Sequence, residues 1–252
     1  MNALMIKELR ENWRSFRYPA FLLVLLFFAL SDPLMIKYMR EILAYFAEIE
    51  IALPDPSPQE AFATFLGDAS QLGILVLIFI SMGSIAGEKE NGVAGWILSK
   101  PVNRWEYYLA KAACISAIII AGVAASSAIA YLYTWSLLGR VSFYNALWAT
   151  ISFTAFALLY GAISFALSTV ARSPLQAGGL TVLIFFASGI LNLPVSETRL
   201  RDFYPNTLLS EMSLLLHGQS TPDHLALPLA VTLGLTAAIL LLAGWRFQKL
   251  EL

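Results

Sequence analysis

Between Gly87 and Lys111 the chain reads GEKENGVAGWILSKPVNRWEYYLAK, a short charged stretch flanked on both sides by long apolar segments. Its side chains offer recognition chemistry rather than bond making. Trp96 and Ile97 follow Val93 by three and four residues, so the three share one face of a short helix. Glu88, Glu90, Lys100 and Arg104 flank that face with charge. An apolar anchor inside a polar rim is what a helix needs to seat in a groove of another protein. Covering each large apolar side chain is worth roughly 1.5–3 kcal/mol; lipid headgroups are the simpler cover, a protein groove the one that also uses the charges. Gly92 and Gly95 loosen the backbone and Pro101 cannot continue a helix. Asn103 with Glu106 three residues later forms a capping box that starts the next helix at Arg104, and Trp105, Tyr107 and Tyr108 are expected in an interfacial aromatic belt.

Other reactive residues are few. His217 and His224 share one polar loop, which argues against axial haem ligands in membrane helices, and a single Cys114 can form no internal disulfide. The chain has no GxxxxGK[ST], HExxH or GxSxG run, so it is expected neither to hydrolyse ATP nor to act as an enzyme. Met35 and Met39 lie four apart, and thioethers can hold Cu(I). Packing is the plainer role for two methionines, and no metal site is expected.

The elements that must position these residues are membrane helices. Hydrophobic residues make up 58% of 252, charged residues 13%, and the mean hydropathy is +0.70, far from the soluble average. The net charge of −1 leaves no electrostatic footprint for nucleic acid. The expected fold is an all-α membrane protein in one domain, residues 1–252, without internal repeats. Six spans of about 20 apolar residues are expected near 17–35, 70–86, 112–134, 145–170, 175–194 and 226–245. The first is interrupted by Asp32 and Pro33. No ionisable residue is expected deep within any span, which disfavours an ion-coupled carrier. Gly83 with Gly87, Ala117 with Ala121 and Ala125, and Ser164 with Ser168 are spaced for close helix approach.

Ahead of the first span, Met5, Leu9, Trp13 and Phe16 recur at four, four and three residues among Lys7, Arg10, Arg14 and Arg17. Residues 1–16 are therefore expected to lie on the membrane surface as an interfacial helix; two acids and a Trp make a secretory leader a poor fit. Eleven Lys and Arg fall at the termini, in 87–111 and at Arg172; five (Lys37, Arg40, Arg140, Arg199, Arg201) fall on the other side. By the positive-inside rule both termini and the 87–111 stretch are cytoplasmic. On the outer side, 34–53 with Ile42, Tyr45, Phe46 and Ile49, and Leu208–Leu216, are expected as short helices that rest on the membrane, cap a pore or meet an extracytoplasmic partner.

ExExG, then LSxPVxRWE and an apolar residue before Ala-Lys, is carried by Glu88, Glu90, Gly92, Leu98, Ser99, Pro101, Val102, Arg104, Glu106 and Lys111. This signature resembles that of ABC-2-type transporter permeases, the membrane subunits of one class of ATP-binding-cassette exporters. The six spans, the N-terminal amphipathic helix and the closing WRFxKLEL extend the resemblance along nearly the whole chain. Val93 and Ala110 depart from the residues many members carry and leave the subfamily open. The resemblance implies a multi-pass protein of the cell inner or plasma membrane that pairs with a second copy, a homodimer being expected, or with a related chain. Two copies of a separate ATPase would supply ATP and Mg; this chain would bind no cofactor. Residues 87–104 would be the coupling helix, docking through Glu88, Glu90, Gly92, Val93, Trp96, Ile97, Lys100, Pro101 and Arg104. Cargo would be a lipid, peptide, drug or other amphipath. Two alternatives stand: a permease similar to the membrane subunit of the nitrous-oxide-reductase maturation transporter, and a membrane anchor or scaffold without transport.

Overall fold

The computed structural model describes residues 2–47, 55–93, 103–198 and 200–249, and helices are the only regular elements among them. Helix α1 (Asn2–Arg14) ends in a turn at Phe16, whose φ of 60° reverses the chain into α2 (Arg17–Ala47). Helix α3 (Pro58–Asp68) starts where the Ser57 hydroxyl accepts from Glu60 N at 3.1 Å, with Pro58 in the first turn, a position where proline's missing N–H costs nothing. A π turn (Ala69–Gly73) leads into α4 (Ile74–Ser81), and a short break precedes α5 (Ala86–Glu90). The remaining helices are α6 (Arg104–Leu137), α7 (Phe143–Val170), α8 (Pro174–Val195), α9 (Thr207–Leu216) and α10 (Asp223–Gln248).

Six helical segments are long and apolar enough to cross a membrane: Arg17–Leu43, Pro58–Glu90, Arg104–Leu137, Phe143–Val170, Pro174–Val195 and Asp223–Gln248. All six expected spans are present; the third spanning helix starts at Arg104, where its capping box is expected to start it, ahead of the span placed from 112, and two others have limits that need explaining. The second begins at Pro58 rather than near 70, because the Ser57 cap fixes the start before Glu60 and Asp68 interrupt the hydropathy. The first does not stop at Asp32-Pro33: α2 continues through Pro33 to Ala47, so the separate outer helix expected over 34–53 is largely an extension of the first span. A membrane helix tolerates proline where neighbours compensate for the lost bond. Residues 48–53 lie outside the described residues.

Helix α7 is the centre of the bundle, packed against α4, α6, α8, α9 and α10. Phe153, Phe156 and Tyr160 from α7, Phe21 and Leu25 from α2, and Phe62 and Phe65 from α3 fill one continuous core. Helix α8 sits outermost, with Leu175, Leu183, Ile190 and Leu193 largely exposed. Helix α9 forms as expected, but it does not rest on the surface. Leu208, Met212, Leu215 and Leu216 are buried against α7 and α10, and Asn145 donates to Leu215 O at 2.9 Å.

Contacts between the helix ends fall into two sets. At one end α1 meets α6 through Glu8 and Lys111, Arg104 reaches Gln248 O at 3.4 Å and Lys89 donates to Thr169 O. At the other, Glu60 pairs with His217 at 2.9 Å and Arg40 with Asp55 at 2.9 Å. The first set gathers the α1, α5 and α10 ends, as an even number of crossings requires.

Candidate functional site

The root of the 87–111 stretch is a buried cluster of charge. Lys111, only 3% exposed, places Nζ 2.9 Å from Glu8 Oε2 and 2.9 Å from Glu88 Oε1. Lys7 adds contacts of 3.2 Å to Glu8, 3.1 Å to Glu11 and 3.7 Å to Glu88. The Tyr107 hydroxyl donates to the second Glu88 oxygen. A buried ammonium is tolerable only when matched this way, because several kcal/mol of lost hydration must be recovered from its partners. Burial alone would lower the Lys7 pKa, yet Glu8, Glu11 and Glu88 together hold it well above its usual range. Carboxylate oxygens of Glu8, Glu11 and Glu88 lie within 4.8 Å of one another, and Lys7 and Lys111 offset two of the three charges.

Three elements bring these residues together. Asn103 caps α6 by accepting from Trp105 N at 2.9 Å, which starts the helix so that Tyr107, Tyr108 and Lys111 face inward. This corrects two expectations. Tyr107 and Tyr108 are buried rather than belted at an interface, with Tyr108 donating to Leu240 O at 2.7 Å and its ring 5.1 Å from that of Phe165. Lys111, just ahead of the span expected from 112, is also enclosed rather than exposed, near the end of a membrane-long helix. Gly244 lets α10 approach this corner, since a Cβ there would lie 2.6 Å from Trp105 Cη2 and 2.9 Å from Tyr108 Cε1.

The break between α4 and α5 leaves two N–H groups to satisfy, and Ser168 on α7 accepts from both Ile85 N (3.0 Å) and Ala86 N (2.9 Å). That fixes the rotation of α5 and aims Glu88 at Lys111. Glu88 therefore faces into the protein, with 11% of its side chain exposed, and does not form the outer polar rim expected of it. Glu90, Gly92 and Val93 are exposed at the end of α5. Gly92 has φ +70°, a conformation that favours glycine over any residue with a Cβ. Trp96, Ile97, Lys100 and Pro101 lie outside the described residues.

On α1, Leu9, Trp13 and Phe16 are exposed and Met5 is half-buried, while Glu8 turns inward; Phe16 belongs to the turn beyond the helix, which ends at Arg14. The spacing of the apolar residues did not reveal that Glu8 is buried. The available signal was an acid on a basic helix, matched by one basic residue at the head of an apolar one. Far from this cluster, Met35 is exposed, whereas Met39 lines a cleft of about 420 Å³ with Ile36, Arg40, Asp55, Glu60 and His217.

A family model described as ABC-2 family transporter protein matches residues 2–252, and the chain belongs to that family. It is also 29% identical over 272 aligned residues, covering 100% of this chain and 98% of the relative, to an uncharacterized transmembrane protein, YxlG, of Bacillus subtilis (strain 168). Family and fold together make this a multi-pass membrane protein and support a permease role.

Proposed function

We propose that this chain is the permease subunit of an ATP-driven exporter, forming the cargo path with a second copy of itself and docking a separate ATPase through residues 87–104. Both termini and that segment face the cytoplasm in this reading, and the chain itself binds no nucleotide; ATP and Mg belong to two ATPase copies. The observation that carries it is the anchoring of α5. Glu88 is tied to α1 through Lys7 and to α6 through Lys111 and Tyr107, while Ser168 and Thr169 of α7 hold Ile85, Ala86 and Lys89. A force applied to the segment after Glu90 is thus delivered to three helices at once, as an input lever requires. Trp96 and Ile97 supply the apolar anchor, and Gly92 the bend that turns the chain out of α5.

The test uses the tagged full-length chain purified from its native membrane. An ATP-hydrolysing subunit with a Walker A motif should co-purify, and Trp96→Asp should abolish that association while the chain still inserts. Unchanged association in Trp96→Asp would overturn the docking assignment.

A further inference from the structure

Asp32, expected to interrupt the outer end of the first span, is instead enclosed within a helix that continues past it to Ala47. Phe21, Leu25, Phe28, Ala29 and Asp32 follow one another on one face of α2, and all are buried. Asp32 is 4% exposed. It lies 15 residues beyond Arg17, roughly 22 Å along the helix at 1.5 Å per residue, inside an apolar layer about 30 Å thick. Its Oδ1 accepts from the Ser31 hydroxyl at 2.9 Å, but its Oδ2 is buried without any hydrogen-bond partner.

Two neighbours sharpen the problem. Pro33 follows directly and has no N–H, so the carbonyl of Ala29, four residues before it, loses the donor an α-helix would supply. Asp32 Oδ2 thus lacks a donor three residues beyond a carbonyl that has lost its i+4 N–H to Pro33. The facing α3 carries two acids, Glu60, which pairs with His217, and Asp68 at the entry to the π turn. Among the other elements packed against α2, the π turn and α4 carry no charged residue and α6 none from 112 to 137; on α6 the Tyr131 hydroxyl is engaged with Val141 O, while the buried Ser127 and Thr134 hydroxyls make no hydrogen bond, to Asp32 or to any other group.

We infer that Asp32 is a proton-binding site: its carboxyl is neutral in this conformation and its O–H donates to the Ala29 carbonyl. One proton from bulk water removes the buried charge and supplies the missing donor, and it is the one cation that needs no room around an enclosed oxygen. Any motion that parts α2 from α3 and wets the seam releases the proton, so acid pH favours the closed seam. Intramembrane carboxyls of this kind mark proton-linked steps in other membrane proteins. The assignment is independent of the docking segment at the opposite end of the bundle.

Infrared difference spectra of the full-length protein in phosphatidylethanolamine–phosphatidylglycerol vesicles test it. At neutral pH the wild type should show a protonated-carboxyl C=O band that shifts in D2O, is lost in Asp32→Asn and survives in Asp68→Asn. Should Asp32→Asn fail to insert, the wild type is treated with a hydrophobic carbodiimide and its adducts mapped by mass spectrometry; labelling of Asp32 that declines as pH rises is expected. An ionised Asp32 signature at neutral pH, or an Asp32 that stays unmodified from mildly acidic to mildly alkaline pH, overturns the assignment.

Discussion

Lys111 faces two carboxylates at 2.9 Å, and neither partner has water to fall back on. Removing the ammonium leaves Glu8 and Glu88 charged and poorly solvated, with Lys7 as the remaining counter-charge. Lys111→Ala should therefore cost about 3 kcal/mol, at the lower end of what breaking a buried pair costs because Lys7 stays. Thermal unfolding in detergent reads this directly. Adding Glu88→Gln to Lys111→Ala should restore part of the loss, since one uncompensated charge goes with it, and a double-mutant cycle isolates that coupling. Equal stability of the single and double variants would mean that the cluster does not act as a unit.

At the scale of elements, two close approaches make separate claims. Gly244→Ala pushes a methyl group into the stacked rings of Trp105 and Tyr108 and should cost about 1–3 kcal/mol, the usual range for overpacking; the same unfolding measurement checks it. Between α3 and α9, His217 is raised above its ordinary pKa by its hydrogen bond to Ser213 O and by Glu60. A folded value above the unfolded one of about 6.5 means that the pair's contribution is complete below that pH. It is lost as pH rises through the folded value. His217→Ala should flatten the thermal midpoint against pH in the window just above about 6.5, where the pair's contribution is being lost, and an unchanged profile there would assign that dependence to another group. Helix positions were legible where apolar runs and caps such as Asn103 are local; the Ser57 cap went unread inside a proline-rich turn, and the start of the second span was misplaced with it. The fate of single charges was not legible. Whether Glu8, Asp32 or Lys111 points to water or inward depends on the rotation of a whole helix against neighbours distant in sequence, which no periodicity in the chain records. Pro33 misled for a related reason, since a break in hydropathy need not break a helix whose surroundings hold it.

For the whole molecule, the two sets of end contacts predict a topology that reporter fusions can read. Fusions at Asp55, Arg140 and Gln219 should all report one side of the membrane, and fusions after Arg172 and Gln248 the other. A mixed result within either group would contradict six crossings. The same frame places the proposed docking segment and the Asp32 seam at opposite ends of the bundle, so variants in one should leave the readout of the other in place. Synthesis adds a constraint of its own. Glu8 and Lys111 are 103 residues apart, and at about 5–20 residues per second the ribosome delivers the second many seconds after the first. Until then Glu8 has no cation beyond its own helix, while the nascent second segment emerges with Lys7, at 3.7 Å, as the cation available to Glu88. The lysine thus serves as an arrival signal: the N-terminal helix can dock, and the α5 root can lock, only once the third membrane segment has entered the bilayer, which makes assembly of this corner a checkpoint in the order of biogenesis.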